Sequence, residues 1–199
     1  MDAEAIHIPP VLEHSAKEFY LSDDAPPDIS KYRVLSFEVL EAIRMDIRST
    51  HLPSWLERPP ANFGEPSHGK LKADQWRTVC TVSMVITLVR LWSSAHASDH
   101  DKALLKNFLH LVSAVDLGSR RSMSKERARA FDEHMFNYLS GLRDLFDHQF
   151  VPNHHLSLHL YECLALFGPV HGWWAFPFER YNGLLRRMNI NYKPGSSLC

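Results

Sequence analysis

From Ser36 onward, apolar residues return every three or four positions, the spacing that places them along one face of an α-helix. Phe37, Leu40, Ile43 and Ile47 form the first such set, with Ser36 placed to cap it and Glu38 near the positive helix end. Trp76, Val79, Cys80, Val82, Val85, Ile86, Val89 and Trp92 form the second, which predicts a helix from Ala73 to Trp92 with little polar face, central in a bundle. Ser98 and Asp101 resemble a capping box that opens a third helix carrying Leu104, Leu105, Phe108, Leu109, Leu111 and Val112 toward Gly118 as a stop. A fourth starts near Ser124 and carries Ala128, Phe131, Met135, Tyr138, Leu139, Leu142, Leu145 and Phe146. Asn153 is placed to cap a fifth, His154 to Phe167, ended by Gly168-Pro169, and an amphipathic stretch from Glu179 to Met188 makes the last.

Prolines and glycines punctuate this pattern. Residues 1–35 hold Pro9-Pro10 and Pro26-Pro27 with little apolar periodicity, and read as a disordered lead-in. The segment with Pro53, Pro59, Pro60, Gly64, Pro66 and Gly69 reads as an ordered loop anchored by Leu52, Trp55, Leu56 and Phe63. No alternation of apolar and polar residues joined by hairpin turns predicts a strand. The expected fold is therefore all-α: an irregular bundle of five or six helices over residues 36–195, with a short tail at 196–199.

Composition narrows the functional classes. A formal charge of -1 over 199 residues gives no overall positive field toward nucleic acid, so any DNA contact must be local. Three distant cysteines, Cys80, Cys163 and Cys199, fit no disulfide framework and imply a reducing, intracellular setting. The acidic N-terminus does not read as a signal peptide. The uncharged run from Thr78 to Val89 is 12 residues, short of the roughly 20 a membrane span needs. No small-molecule substrate is evident.

Three groups of residues have candidate chemistry. His155, His159 and Cys163, four residues apart on one helix face, are all possible zinc ligands. The plainer reading is that Cys163 packs as a small apolar residue while the histidines bond to backbone or water. Glu179 opens the last helix among Trp173, Trp174, Phe176, Pro177 and Phe178, where low polarity predicts a cation nearby, Arg180 or a metal ion. The plainer role is a carboxylate complementing the helix dipole. Basic residues gather at Arg120, Arg121, Lys125, Arg127 and Arg129, and again at Arg180, Arg186, Arg187 and Lys193. The first group lies at a loop-to-helix junction suited to phosphate contact.

Four segments in order carry a family likeness: Leu52-Pro-Ser-Trp-Leu, Gly69-Lys-Leu-Lys-Ala-Asp-Gln-Trp-Arg, Ile86-Thr-Leu-Val-Arg-Leu-Trp, and Gly168 through Leu185 with its Trp-Trp-Ala-Phe-Pro-Phe-Glu-Arg core. They resemble the carboxy-terminal region of CACTA (En/Spm-like) transposases as found in mushroom-forming fungi. The resemblance implies a parent enzyme whose RNase H-like core uses two aspartates and a glutamate to hold two magnesium or manganese ions for strand cleavage and transfer. Glu179-Arg180 looks like that glutamate, residues 36–167 like a helical insertion contacting DNA ends or transposase subunits, and the setting would be nuclear. Nothing resembles the strand-rich segment with the two aspartates, since Asp74, Asp116, Asp132 and Asp144 all sit in helical patterns. Relatives also continue beyond Asn189 to Gly195, so the likeness implies part of a longer enzyme, inert alone and needing no cofactor alone. The alternative is a non-catalytic interaction or DNA-contacting module anchored by Trp173, Trp174 and Phe178.

Overall fold

A computed structural model of the chain describes residues 35–65, 70–146 and 150–187. All regular structure among them is helical: α1 (Phe37–Ser49), α2 (residues 73–92), α3 (Asp99–Gly118), α4 (Lys125–Phe146), α5 (Pro152–Phe167) and α6 (Phe176–Arg187), with one 3-10 turn at Val170–Gly172. The expectations for residues 1–34 and 196–199, and for Pro66, Gly69, Met188 and Lys193, lie outside the described residues.

Local chemistry sets the helix ends. The Ser36 hydroxyl accepts from the Val39 N–H at 3.3 Å, the Ser98 hydroxyl from Asp101 at 3.0 Å, and the Ser124 hydroxyl from Arg127 at 3.3 Å. Each satisfies an amide that the first helical turn leaves without a partner. α5 begins earlier than expected: Pro152 occupies its first turn, Val151 is the cap, and Asn153 is already helical. Proline fits there because its missing N–H would have had no helical partner. Gly168, at φ 73°, ends α5 with its N–H on Leu164.

Consecutive helices pack on one another, from α1 on α2 through α4 on α5. One core cluster joins α3, α4 and α5 through Ala114, Phe131, Met135, Leu139, Leu158, Tyr161 and Leu164. A second joins α1 and α2 through Ile43, Ile47, Val79 and the loop residue Phe63. The third, Leu88, Trp92, Leu104 and Leu105, links α2 to α3. Leu35, at the end of the expected lead-in, packs against the latter two.

Two expectations are corrected. The apolar periodicity of α2 makes Ile86 and Val89 part of its buried face, yet they are 43% and 37% exposed while Thr78, Ser83 and Thr87 are buried. A π-turn at Val79–Ser83 shifts the residues after it by one position, rotating the inward face. Two of these hydroxyls are satisfied, Thr78 on the Asp74 carbonyl at 3.1 Å and Thr87 on the Asp46 carboxylate at 2.6 Å. Trp55, expected to anchor the loop, is 82% exposed. Arginines hold that loop instead. Buried Arg44 donates to the Phe63 carbonyl at 2.8 Å and pairs with Glu41, while Arg58 donates to the carbonyls of Ile47 and Thr50 at the end of α1.

Candidate functional site

Glu179 lies in the first turn of α6, its N–H bonded to the Ala175 carbonyl at 2.9 Å. The helix begins at Phe176, so Glu179 does not open it as the sequence implied. It is exposed, and so are Arg180 and Phe178. The surrounding aromatics therefore do not enclose it, and water can solvate its charge. An open cleft of about 790 Å³ lies between this turn and the start of α2, lined by Lys72, Asp74, Trp174, Glu179, Arg180 and Tyr181 among others.

That cleft unites segments distant in sequence. Lys72 and Asp74 belong to the second of the four transposase-like segments, and Trp174 to Leu184 belong to the fourth. The first segment adjoins them, because Trp55 and Leu56 share a neighbouring cleft of about 410 Å³ with Asp74 and Arg77. Lys72 is tied back to Glu57 by an ion pair at 3.1 Å, and Gln75 accepts from the Lys72 N–H at 3.0 Å, which fixes the start of α2. Trp76 stacks edge-on to Phe63 with ring centres 6.0 Å apart.

The donor set can be weighed against the metal pair the resemblance implies. Two carboxylates, Asp74 and Glu179, face the cleft together with two cations, Lys72 and Arg180. No group of three histidine, cysteine, aspartate or glutamate side chains converges among the described residues. Two divalent ions need bridging and flanking carboxylates in larger number. The described residues do not fit a two-ion centre by themselves.

The basic residues fall in two places. Arg120, Arg121 and Lys125 sit exposed at the α3–α4 junction, where Arg120 is already held by Asp116 at 2.7 Å and Arg127 by the Ser122 carbonyl at 2.9 Å. Arg180, Arg186 and Arg187 belong to α6, the side chains of the last two lying outside the described residues. Of the zinc candidates, His155 and His159 touch, Nε2 to Nε2 at 3.2 Å, and the Glu162 carboxylate lies 3.9 Å from His159. Cys163 joins no three-ligand group with them. The aromatic anchors divide: the Trp173 indole donates to the Gly168 carbonyl at 3.2 Å and packs on the α3–α5 core, Trp174 stacks on His171 at 4.3 Å, and Phe178 is 70% exposed.

Several polar groups escaped sequence reasoning. Half-buried Asp46 accepts from Thr87 at 2.6 Å and from Arg90 at 2.8 Å. Asp132 is 4% exposed. His110 and His134 meet across α3 and α4, Nδ1 to Nδ1 at 2.9 Å. None belongs to a spacing motif; each pairing joins different helices, and only the fold brings them together. No protein-family model, curated protein or solved structure matches this chain.

Proposed function

We propose that this chain is a helical, non-catalytic portion of a CACTA-type DNA transposase, working in the nucleus with DNA and other transposase segments. In this reading it offers Glu179 as third acidic ligand to a magnesium or manganese centre whose two aspartates lie elsewhere. The supporting observation is a pair of adjoining clefts that share Asp74: residues 72–74 of the second family-like segment meet Glu179 of the fourth in one, and Trp55 of the first lines the other. Exposed on a first helical turn, Glu179 is accessible to a second protein segment.

The purified chain should give no magnesium- or manganese-dependent nicking of DNA carrying terminal inverted repeats. Joined to a transposase segment bearing both aspartates, it should gain that activity, and Glu179→Gln should abolish it. Cleavage by the chain alone, or full activity of the Gln variant in the joined protein, contradicts the assignment.

A second reading is a protein-interaction module without catalysis. It draws on the outer face of α6, where Phe178, Tyr181, Leu184 and Leu185 are each at least half exposed. Buried aromatic anchors give such surfaces their affinity. Loss of subunit association in a Phe178→Asp, Leu185→Asp variant, with nicking by the joined protein never appearing, favours this reading over the first.

A further inference from the structure

Remote from Glu179 in the chain, a hollow of about 390 Å³ opens where the end of α2 meets α3 and α4. Trp92, Leu105 and Leu109 give it an apolar lining. Lys106 on α3 adds a cation, beside Lys102 that pairs with Asp99 at 3.8 Å, and the His110–His134 contact supplies two imidazoles from facing helices. No carboxylate lines it, whereas the two clefts around Asp74 carry Asp74 with Glu179 or Glu57.

We propose that this hollow binds an organic carboxylate with an apolar body, the chain or ring lying on Trp92, Leu105 and Leu109 and the carboxylate facing Lys106 and the histidine pair. Its size falls within the range of small-molecule sites, which are mostly apolar with a few polar groups that fix orientation. Apolar contact supplies attraction but no direction; the one-sided charge supplies direction. Two imidazoles can also grip a metal ion, but the neighbouring lysines repel a cation and attract an anion.

The histidines make binding depend on pH. At the Nδ1 contact one ring must donate and the other accept, so a second proton there breaks it. The charged groups around His110 are Lys102 and Lys106 on its own helix and Glu133 and His134 on α4, while the end of α2 contributes uncharged Trp92 and Ser93. Burial first, then His134 and Lys106, hold the His110 imidazolium below its ordinary range, with Glu133 opposing. A bound carboxylate supplies negative charge and favours protonation, so by linkage the ligand binds more tightly as pH falls from 7.5 to 6.

Octanoate is the probe, with octylammonium as its opposite-charge control, followed by calorimetry and by amide and indole chemical shifts on the full chain. Expected are saturable shifts at the Trp92 indole and along α3 and α4, and affinity at least tenfold above that of octylammonium. Lys106→Gln should weaken octanoate at least fivefold with an unchanged melting temperature, since Lys106 is exposed. Replacing both imidazoles, His110→Gln with His134→Gln, should flatten the pH dependence. Equal binding of octylammonium, no effect of Lys106→Gln, shifts confined to the exposed apolar residues of α5 and α6, or no saturation at millimolar octanoate each overturn the assignment. A protein lacking both imidazoles but keeping the parent's pH dependence overturns the part given to the histidine pair.

Discussion

Asp132 sits on the face of α4 that packs toward α5, with its Oδ1 lacking a hydrogen-bond partner among the described residues. Burial first, and then the charge of Glu162, push its carboxyl above the ordinary value of 3.8. With the folded value above the unfolded one, the stability this group allows is complete below about pH 3.8 and is lost as pH rises through the folded value. Asp132→Asn should therefore melt higher than the parent at pH 7, and the two should converge toward pH 4; a lower melt at pH 7 would reveal a stabilising partner for the carboxylate. Asp46 has the opposite sign. Burial opposes its charge, but hydrogen bonds from Thr87 and Arg90 outweigh that and hold the carboxyl below its ordinary value. Its contribution is present above about pH 3.8 and fades as pH falls through the folded value. Thr87→Val removes a buried donor and should cost about 1 to 2 kcal/mol at pH 7, with the cost shrinking in acid denaturation series. Neither carboxylate was legible as special in the sequence, where both are ordinary helical aspartates between apolar positions.

At the scale of elements, α3 and α4 come close where Gly141 faces Asn107. An added Cβ at Gly141 would stand 2.1 Å from the Asn107 Oδ1, and Asn107 is only 6% exposed, so it has little room to yield. Gly141→Ala should lower stability by about 1 to 3 kcal/mol despite its better helix propensity; a rise in denaturation midpoint would show that the helix pair can part freely. α6 behaves in the reverse manner. Phe178 and Leu185 are 70% and 56% exposed, so Phe178→Asp and Leu185→Asp should shift unfolding free energy by no more than about 0.5 kcal/mol, while Leu158→Asp in the core should unfold the chain. Helix existence and the serine caps were readable because periodicity and caps are local. The π-turn in α2 was not, since nothing in Val79–Ser83 announces it and tertiary packing selects it, and with it went the face that α2 buries.

For the whole molecule, the three core clusters form a connected series. Leu35, Val39 and Met84 belong to the surroundings of both clusters that involve α2, and α3 and α4 connect these to the largest. Among the described side chains, none from α6 belongs to any of the three. The sequence marked Glu179 through its local pattern and the family likeness, but its meeting with Asp74 depends on how α6 returns toward the start of α2, a long-range contact no spacing encodes. The position of Glu179 therefore rests on a helix with little buried apolar surface, and regions with few buried contacts open at low free energy. Hydrogen exchange should show amides of residues 176–187 exchanging far faster than those of α3 and α4. On the function proposed above, adding a transposase segment with two aspartates should slow α6 selectively, because docking on it would bury Phe178, Tyr181 and Leu185. If α6 in the isolated chain is already as protected as α4, the cleft is rigid by itself and Glu179 does not depend on a partner for its placement.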